Sequence, residues 1–411
     1  MRNLGNVECG GDRARWPEHM ARAFALARSV LSCAPNPRVG CVLVRGGRVV
    51  AEGFHAGAGQ AHAEAAALAA DPEGGAGATA FVTLEPCSHE GRTGPCTGAL
   101  IEAGVKQVVI AMLDPNPRVS GVAMLEEAGI EVFALPDFAT GAAQLNPGFI
   151  KRVSAGRPFL RCKLAMSLDG RTALASGASQ WITGPRARAD AQILRGASCA
   201  VLTGIDTVIA DDPALNVRPE SLAGSVRDQV EKRLAAVAAM RAAGMAGIER
   251  PSAAAVSGQP LRVILDSHLR TPPAAKTLSL DGAVKIFSLR EPTRAGQFPE
   301  NVEVIAAPAK MEKAGAPEKV DLEFVLDCLA ARFECNEVLV EAGPTLGGAL
   351  LAAGLVDELV IYMAPRLLGG DAKPLLELAG PAALAPAPPW EIRDVKRLGD
   401  DLRISVGPRG T

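Results

Sequence analysis

His62-Ala63-Glu64-Ala65-Ala66-Ala67-Leu68-Ala69-Ala70, followed by Thr79-Ala80-Phe81-Val82-Thr83-Leu84-Glu85-Pro86-Cys87, sets a helix beside a short buried strand. The Ala- and Leu-rich run predicts a helix over 63–70 that begins at His62, so His62 and Glu64 stand on its first turn. The apolar run 79–84 predicts a strand whose end hands Cys87 to a loop. A second helix is expected over 97–103, with Pro95-Cys96 at its start. In this order the elements read as α/β, and they bring one imidazole and two thiols to one point.

Those residue types imply a chemistry. One histidine and two cysteines hold Zn²⁺ and leave a fourth position for water, while a glutamate two residues past the histidine moves protons without binding the metal. The expected ligands are His62, Cys87 and Cys96, and Glu64 is the expected catalytic proton carrier. This is the equipment of a hydrolytic deaminase. The positive ends of the two helices favour thiolate at Cys96. A structural zinc site needs a fourth protein ligand, and no Cys or His stands at zinc-ribbon spacing. His89 is the one candidate, and it is equally placed to touch substrate.

Outward from this centre, Met20, Phe24, Ala27 and Leu31 form a helical stripe over 17–31. Segments 40–44 and 48–53 make a hairpin about Gly46-Gly47. Strands at 79–84, 107–112 and 130–133 alternate with helices at 97–103 and 119–128, which predicts a three-layer α/β domain. Asn36 precedes the first strand. A loop asparagine there either hydrogen-bonds a pyrimidine edge or marks an Asn-Pro turn, and the residues alone leave both open.

At 411 residues the chain exceeds one hydrophobic core, and with 48% hydrophobic residues each of two domains can bury its own. A net charge of −2 offers no basic face to nucleic acid, so the expected partners are small molecules. No uncharged apolar run reaches the ~18 residues of a membrane span, and no basic-then-apolar leader opens the chain, so a cytoplasmic location is expected. Of nine cysteines, seven lie outside the motif: Cys9, Cys33, Cys41, Cys162, Cys199, Cys328 and Cys335. They read as small hydrophobes in a reducing compartment.

Deaminases of nucleic-acid bases and cytidine usually close the motif as PCxxC. Here the closing segment is Cys87-Ser88-His89-Glu90-Gly91-Arg92-Thr93-Gly94-Pro95-Cys96, preceded by Pro35-Asn36-Pro37-Arg38-Val39-Gly40. Together they resemble the bacterial bifunctional deaminase/reductase family of riboflavin biosynthesis. The resemblance continues in Lys163-Leu164-Ala165-Met166-Ser167-Leu168-Asp169-Gly170-Arg171, Ser179-Gln180-Trp181-Ile182-Thr183, Ala210-Asp211-Asp212-Pro213-Ala214-Leu215 and Glu341-Ala342-Gly343-Pro344-Thr345-Leu346-Gly347-Gly348. It implies a cytidine-deaminase-like domain over 1–155 and a dihydrofolate-reductase-like α/β domain over 156–411. By residue pattern, a linker is expected over 147–157, and strands over 158–166, 199–203, 261–266, 284–288, 338–341 and 358–362 alternate with helices.

No GxGxxG occurs, so the usual dinucleotide fingerprint is absent. Glu341 ends a strand, and 343–348 leads into a helix reaching about residue 353. That turn either receives a pyrophosphate or simply packs. The resemblance implies NADPH there, against Gly343, Pro344, Thr345, Leu346, Gly347 and Gly348, with Ala165, Trp181, Thr207, Asp211 and Ser267 completing its site. It likewise implies substrate contacts from Asn36, Lys163, Ser179, Arg195, Leu215, Arg218 and Glu341, the basic ones suiting a sugar phosphate. It further implies a homo-oligomer, dimer or tetramer. Asp169 reads either as a proton donor or as the cap of a turn.

One region departs from the family. Between Arg218 and Leu261 lies an Ala-rich insertion with Val226, Val230, Leu234 and Val237 at helical spacing, and Arg227, Asp228, Glu231 and Lys232 on the other face. It reads as a solvated helix with a flexible tail. Two rival readings stand: a nucleoside or nucleic-acid base deaminase carrying an unrelated C-terminal module, and a non-catalytic binding protein on the same scaffold.

Overall fold

Gly46 and Gly47, at φ 56° and 74°, close the hairpin of β1 (Gly40–Arg45) and β2 (Arg48–Phe54), a turn that needs positive φ at both central positions. The structure is a computed structural model that describes residues 13–89, 94–242, 258–292, 296–310, 318–380 and 390–409, without the side chains of 233 and 236–242. The hairpin joins β3 (Thr79–Val82), β4 (Gln107–Ile110) and β5 (Glu131–Ala134) in a sheet of order β2-β1-β3-β4-β5, with β3, β4 and β5 parallel. This first unit spans Met1–Gly156 and the second Arg157–Thr411.

Strand alternation divides the first core into two faces. Cys41, Leu43, Val82 and Ile110 point at α2 (Ala63–Ala70), α3 (Cys96–Glu102) and α4 (Gly121–Glu127). Val42, Val44, Phe81 and Val109 point at α1 (Trp16–Arg28) and α5 (Ala139–Leu145). Helices on both faces make the expected three layers. The helix α1 stops three residues short of Leu31, where the Ser29 hydroxyl turns back onto the Leu26 carbonyl at 2.6 Å.

The boundary between the units, Gly156 to Arg157, falls at the end of the expected linker, most of which is helix. Residues Pro147–Ala155 form α6, with proline at its first position and Gly156, at φ 72°, as its left-handed stop.

In the second unit the strands are β6 (Phe159–Ser167), β7 (Arg171–Ala173), β8 (Ala200–Gly204), β9 (Leu261–Leu265), β10 (Val284–Ser288), β11 (Val302–Ala306), β12 (Ala309–Lys310), β13 (Lys319–Val320), β14 (Glu337–Glu341), β15 (Glu358–Ala364), β16 (Lys373–Pro374), β17 (Trp390–Leu398) and β18 (Asp401–Pro408). Nine of them form one sheet, β11-β10-β9-β8-β14-β6-β15-β18-β17, parallel except for β18 and β17. The sequence reading omits β11, β17 and β18. The helix α7 (Pro185–Ala197) is fastened to this sheet by the chain's one tyrosine: Tyr362 Oη donates to the buried Asp190 carboxylate at 2.8 Å.

The next two α-helices are α8 (Ile205–Asp211) and α9 (Gly224–Ala242), and Lys276–Ser279, Leu322–Ala331 and Pro344–Ala352 form three more. In α9, Val230 is buried while Arg227, Asp228, Glu231 and Lys232 are exposed, as the spacing predicts. The side chain of Val237 and the tail 243–257 lie outside the described residues, as does Cys9. Gln259, inside the expected insertion, is not excursion: its amide pairs with both backbone groups of Val217, at 2.8 and 3.1 Å. Among the described residues, no helix is long and apolar enough to cross a membrane.

Candidate active sites

Helix ends build the first site. His62 is the residue that precedes α2, and Cys96 opens α3. Gly53 lets α2 approach, since a Cβ there would lie 2.3 Å from the Ala63 carbonyl oxygen. Cys87 is set by the preceding residues: the Glu85 carboxylate accepts from the backbone N–H of Val122 at 2.9 Å and of Asp114 at 3.1 Å, and Gly121 leaves room for the Pro86 carbonyl.

His62 Nδ1 lies 3.3 Å from Cys96 Sγ and 3.5 Å from Cys87 Sγ. All three donor atoms fall within 4.8 Å of one another, the only such His, Cys, Asp or Glu group among the described residues. Zinc bonds of about 2.0 Å to nitrogen and 2.3 Å to sulfur place tetrahedral neighbours about 3.6 Å apart, so the set fits zinc. His89 is exposed and is no part of the group.

The hydrogen bond between the two thiols lowers Cys87 and raises Cys96. The Cys96 thiol donates to Cys87 and, with the Cys96 backbone N–H 3.3 Å from Cys87 Sγ, holds the Cys87 thiol down to about 4 against its burial. The same hydrogen bond, burial and the Glu64 charge push Cys96 up. The helix-end amide of α3 thus aims at its neighbour's sulfur, not its own. Glu64 is only 4% exposed, and burial raises its carboxyl above the usual range.

Asn36 reaches the site through a partner that sequence reasoning missed. His55 Nδ1 lies 3.0 Å from the Ala61 carbonyl, which can only accept, so Nδ1 carries the proton and Nε2 accepts from Asn36 Nδ2 at 3.0 Å. His55 is buried, with its ring edge-on to His62 at 5.2 Å. Asp114 was also missed. Burial, together with the Glu85 and Cys87 charges, pushes it up to about 6. A signal existed, because Pro115-Asn116-Pro117-Arg118 repeats Pro35-Asn36-Pro37-Arg38.

Most residues expected at the second site lie along the C-terminal ends of adjacent parallel strands, where open α/β sheets bind ligands. Ser267 follows β9, Thr207 and Asp211 lie in α8 after β8, Gly343 to Leu346 follow β14, and Ala165 is in β6 beside Tyr362 of β15. A Cβ on Gly343 would meet nothing within 4 Å, so the approach to the amides opening the helix Pro344–Ala352 is clear, as a pyrophosphate requires. Gly347 and Gly348 instead face inward: a Cβ on Gly348 would lie 2.0 Å from the Glu377 carbonyl oxygen. Trp181 is 57% exposed, with the Arg188 guanidinium 4.6 Å from its ring centre. The Ser267 hydroxyl accepts from the Val320 N–H at 3.1 Å. Ser179 is half-buried in the segment after β7.

Among the substrate candidates, Arg195 spends its fork on Glu341, at 3.0 Å from Nη2, and on the Asn216 carbonyl at 2.9 Å. Lys163 Nζ lies 3.8 Å from the same carboxylate, and Arg218 is exposed. Burial would raise Glu341, but the charges of Arg195, Lys163 and Arg218 outweigh it and hold the carboxyl at about 2. Leu215 is 1% exposed, at φ 53°, so only its backbone is available. Asp169 is a cap: its carboxylate accepts from the Leu368 N–H at 3.1 Å, the Gly369 N–H at 2.8 Å and the Ser167 hydroxyl. The Ser167 bond and those amides hold it at about 2, which removes it as a proton donor.

The RibD C-terminal domain profile matches residues 158–404, more than half of the chain, and the cytidine and deoxycytidylate deaminase zinc-binding region matches 15–112. This chain belongs to the RibD family. RibD of Haemophilus influenzae is 45% identical over 396 residues, 95% of this chain and 97% of that one, and RibD of Escherichia coli K12 is 44% identical over 94% and 98%. The solved structure of Acinetobacter baumannii RibD, form 1, matches with a TM-score of 0.79 at 41% identity, over 95% of this chain and 98% of that one. The Thermotoga maritima diaminohydroxyphosphoribosylaminopyrimidine deaminase/5-amino-6-(5-phosphoribosylamino)uracil reductase matches with a TM-score of 0.77 at 28% identity, over 96% and 99%. As a RibD protein the chain is a bifunctional deaminase and reductase of riboflavin biosynthesis, working on a small molecule with zinc and NADPH. An unrelated C-terminal module is ruled out by the match over 158–404.

Proposed function

We propose that the first unit, over the 1–155 expected from sequence, deaminates 2,5-diamino-6-(5-phosphoribosylamino)pyrimidin-4(3H)-one to 5-amino-6-(5-phosphoribosylamino)uracil, and that 156–411 reduces the product's ribosyl group to ribityl. The observation that carries the first step is the buried Glu64 beside the His62, Cys87 and Cys96 donor set. Those three residues would hold the zinc, which would supply the positive charge that acidifies a water. Glu64 takes that water's proton and passes it to the departing amine, so a C–O bond replaces a C–N bond and ammonia leaves. Asn36, oriented by His55, holds the pyrimidine edge.

For the second step NADPH would supply a hydride; a C–H bond forms at the sugar's anomeric carbon, the bond from that carbon to the ring oxygen breaks, and the ring oxygen takes a proton from solvent to become a hydroxyl. Lys163 and Arg218 face the phosphorylated sugar, and Arg195 keeps Glu341 ionised and in place. Gly343 to Leu346 receive the pyrophosphate, with Ala165, Thr207, Asp211 and Ser267 along the same strand ends and Trp181 from the segment between β7 and α7. Gly347 and Gly348 support this turn from behind, and Ser179 and the Leu215 backbone complete the substrate side. The reading includes a cytoplasmic location and a homo-oligomer, dimer or tetramer, with no nucleic-acid or membrane partner.

Mass and absorbance assays of the zinc-loaded protein with the diaminopyrimidinone ribosyl phosphate test this. Ammonia release without NADPH, then ribityl product and NADPH oxidation with it, are the expected results. Deamination without reduction overturns the assignment of 156–411.

A further inference from the structure

Asn146 stands at the elbow between α5 and α6, belonging to neither helix, with φ −128° and ψ 47°. Its side chain is 8% exposed and spans both backbone groups of one residue in the site loop: the Arg38 N–H donates to Oδ1 at 2.8 Å, and Nδ2 donates to the Arg38 carbonyl at 2.9 Å. This is the two-bond pairing that a strand residue offers its partner in an antiparallel sheet. The same elbow grips the loop twice more. The Arg38 guanidinium donates to the Leu145 carbonyl, and Arg152 Nη2, one turn along α6, donates to the Pro35 carbonyl at 3.1 Å. Asn36 lies between the two gripped residues, and its own amide holds His55 Nε2 at 3.0 Å.

Sequence alone makes 147–157 a linker, and nothing in the expected chemistry needs it. Its contacts point elsewhere, because they close on the one loop that carries a pyrimidine contact. We infer that Asn146, with Arg152, is a positioning residue for deamination: it sets the loop that aims Asn36 at the ring and does not itself touch substrate. The inference rests on the reading of Asn36 as that contact. An aimed loop lowers the ordering cost of binding, so its loss falls on KM.

The test uses full-length, zinc-loaded protein carrying Asn146→Ala, Arg152→Ala, Asn36→Ala, or Asn36→Ala with Asn146→Ala. Deamination kinetics, zinc content and NADPH oxidation on the deaminated intermediate are measured on each preparation. Losing two hydrogen bonds raises KM for Asn146→Ala by about tenfold, and losing one raises it a few-fold for Arg152→Ala. In both, kcat stays within about threefold, zinc is retained and reduction is unchanged. In the Asn36→Ala background, Asn146→Ala adds less than about twofold, because the two act through one contact. Asn146→Asp, which keeps the acceptor and loses the donor, falls between parent and Asn146→Ala. Fully additive effects of Asn36→Ala and Asn146→Ala overturn the inference. Where Asn146→Ala loses zinc or fails to fold, Arg152→Ala decides, and an unchanged KM there overturns it. A raised KM for Asn36→Ala beside an unchanged one for Asn146→Ala sinks the positioning role alone. An unchanged KM for Asn36→Ala sinks the pyrimidine contact and the inference with it.

Discussion

Glu64 must stay in a nearly dry place and still change its protonation state. Burial raises its carboxyl, which brings its proton affinity closer to that of the water and amine it serves. Glu64→Gln keeps the shape and removes the proton transfer. Deamination should then fall by about 10²–10⁴-fold with zinc still bound, read by elemental analysis beside the rate. Loss of zinc would mean that Glu64 helps hold the metal. Glu341 presents the opposite balance. Its folded value of about 2 lies below the ordinary ~4.3, so its contribution to stability is full above that ordinary value and fades as pH falls toward 2. Glu341→Gln leaves Arg195 and Lys163 facing a neutral amide and should cost about 3–5 kcal/mol at pH 7. Denaturant melts of parent and variant should converge between pH 4 and about 2, and a gap that survives acid would point to packing instead.

Helices and strands differ in how plainly they announce themselves. The segment that became α2 declares itself by composition, and the central parallel strands β3, β4, β8, β9, β10 and β14 by apolar runs, because most of their residues are buried, whereas the half-buried parallel strand β11 at the sheet edge does not. The edge strand β17 does not: Trp390–Leu398 carries Arg393, Asp394, Lys396 and Arg397, and most of it is exposed. The helices α5 and α6 were hidden by Asn146-Pro147-Gly148, which reads as a turn although proline suits a helix's first position. His55 escaped because its role comes from burial and from its hydrogen bond to Asn36, which spacing does not encode. At this scale α9 offers a test. Replacing 224–257 by a short Gly/Ser linker should leave reduction within about twofold, since apart from Val230 the α9 side chains described are half-buried or exposed. Carrying the deletion through Gln259 should abolish it, because Val217 and the adjoining Arg218 lose their backbone support.

For the whole molecule, each unit has its own core and the His62, Cys87 and Cys96 donor set lies wholly in the first, so the two reactions should separate under chelation. Removing zinc at neutral pH should abolish ammonia release and leave NADPH oxidation on the supplied uracil intermediate close to that of the parent; a parallel loss of both would show that zinc supports more than the first unit. Motif order from Asn36 to Gly370 carries the family, and the family carries the pairing of activities. What spacing alone leaves dark is how Glu341 is shared: three cations and one carboxylate look interchangeable in sequence, and only their geometry separates Arg195 from the other two.

The sheet order has a consequence in time. β14 lies between β6 and β8, yet it leaves the ribosome about 130 residues after β8, on the order of ten seconds later at bacterial synthesis rates. Until it arrives, β8, β9 and β10 have no partner that joins them to β6. The elements that assemble around His62, by contrast, have all been made by residue 155. A nascent chain therefore holds a finished deaminase while its reductase is still one fragment of sheet, β8 to β11, with an open edge, and a β6 whose sheet neighbours β14 and β15 have not been made, and it is during that interval that the enzyme is most exposed to aggregation.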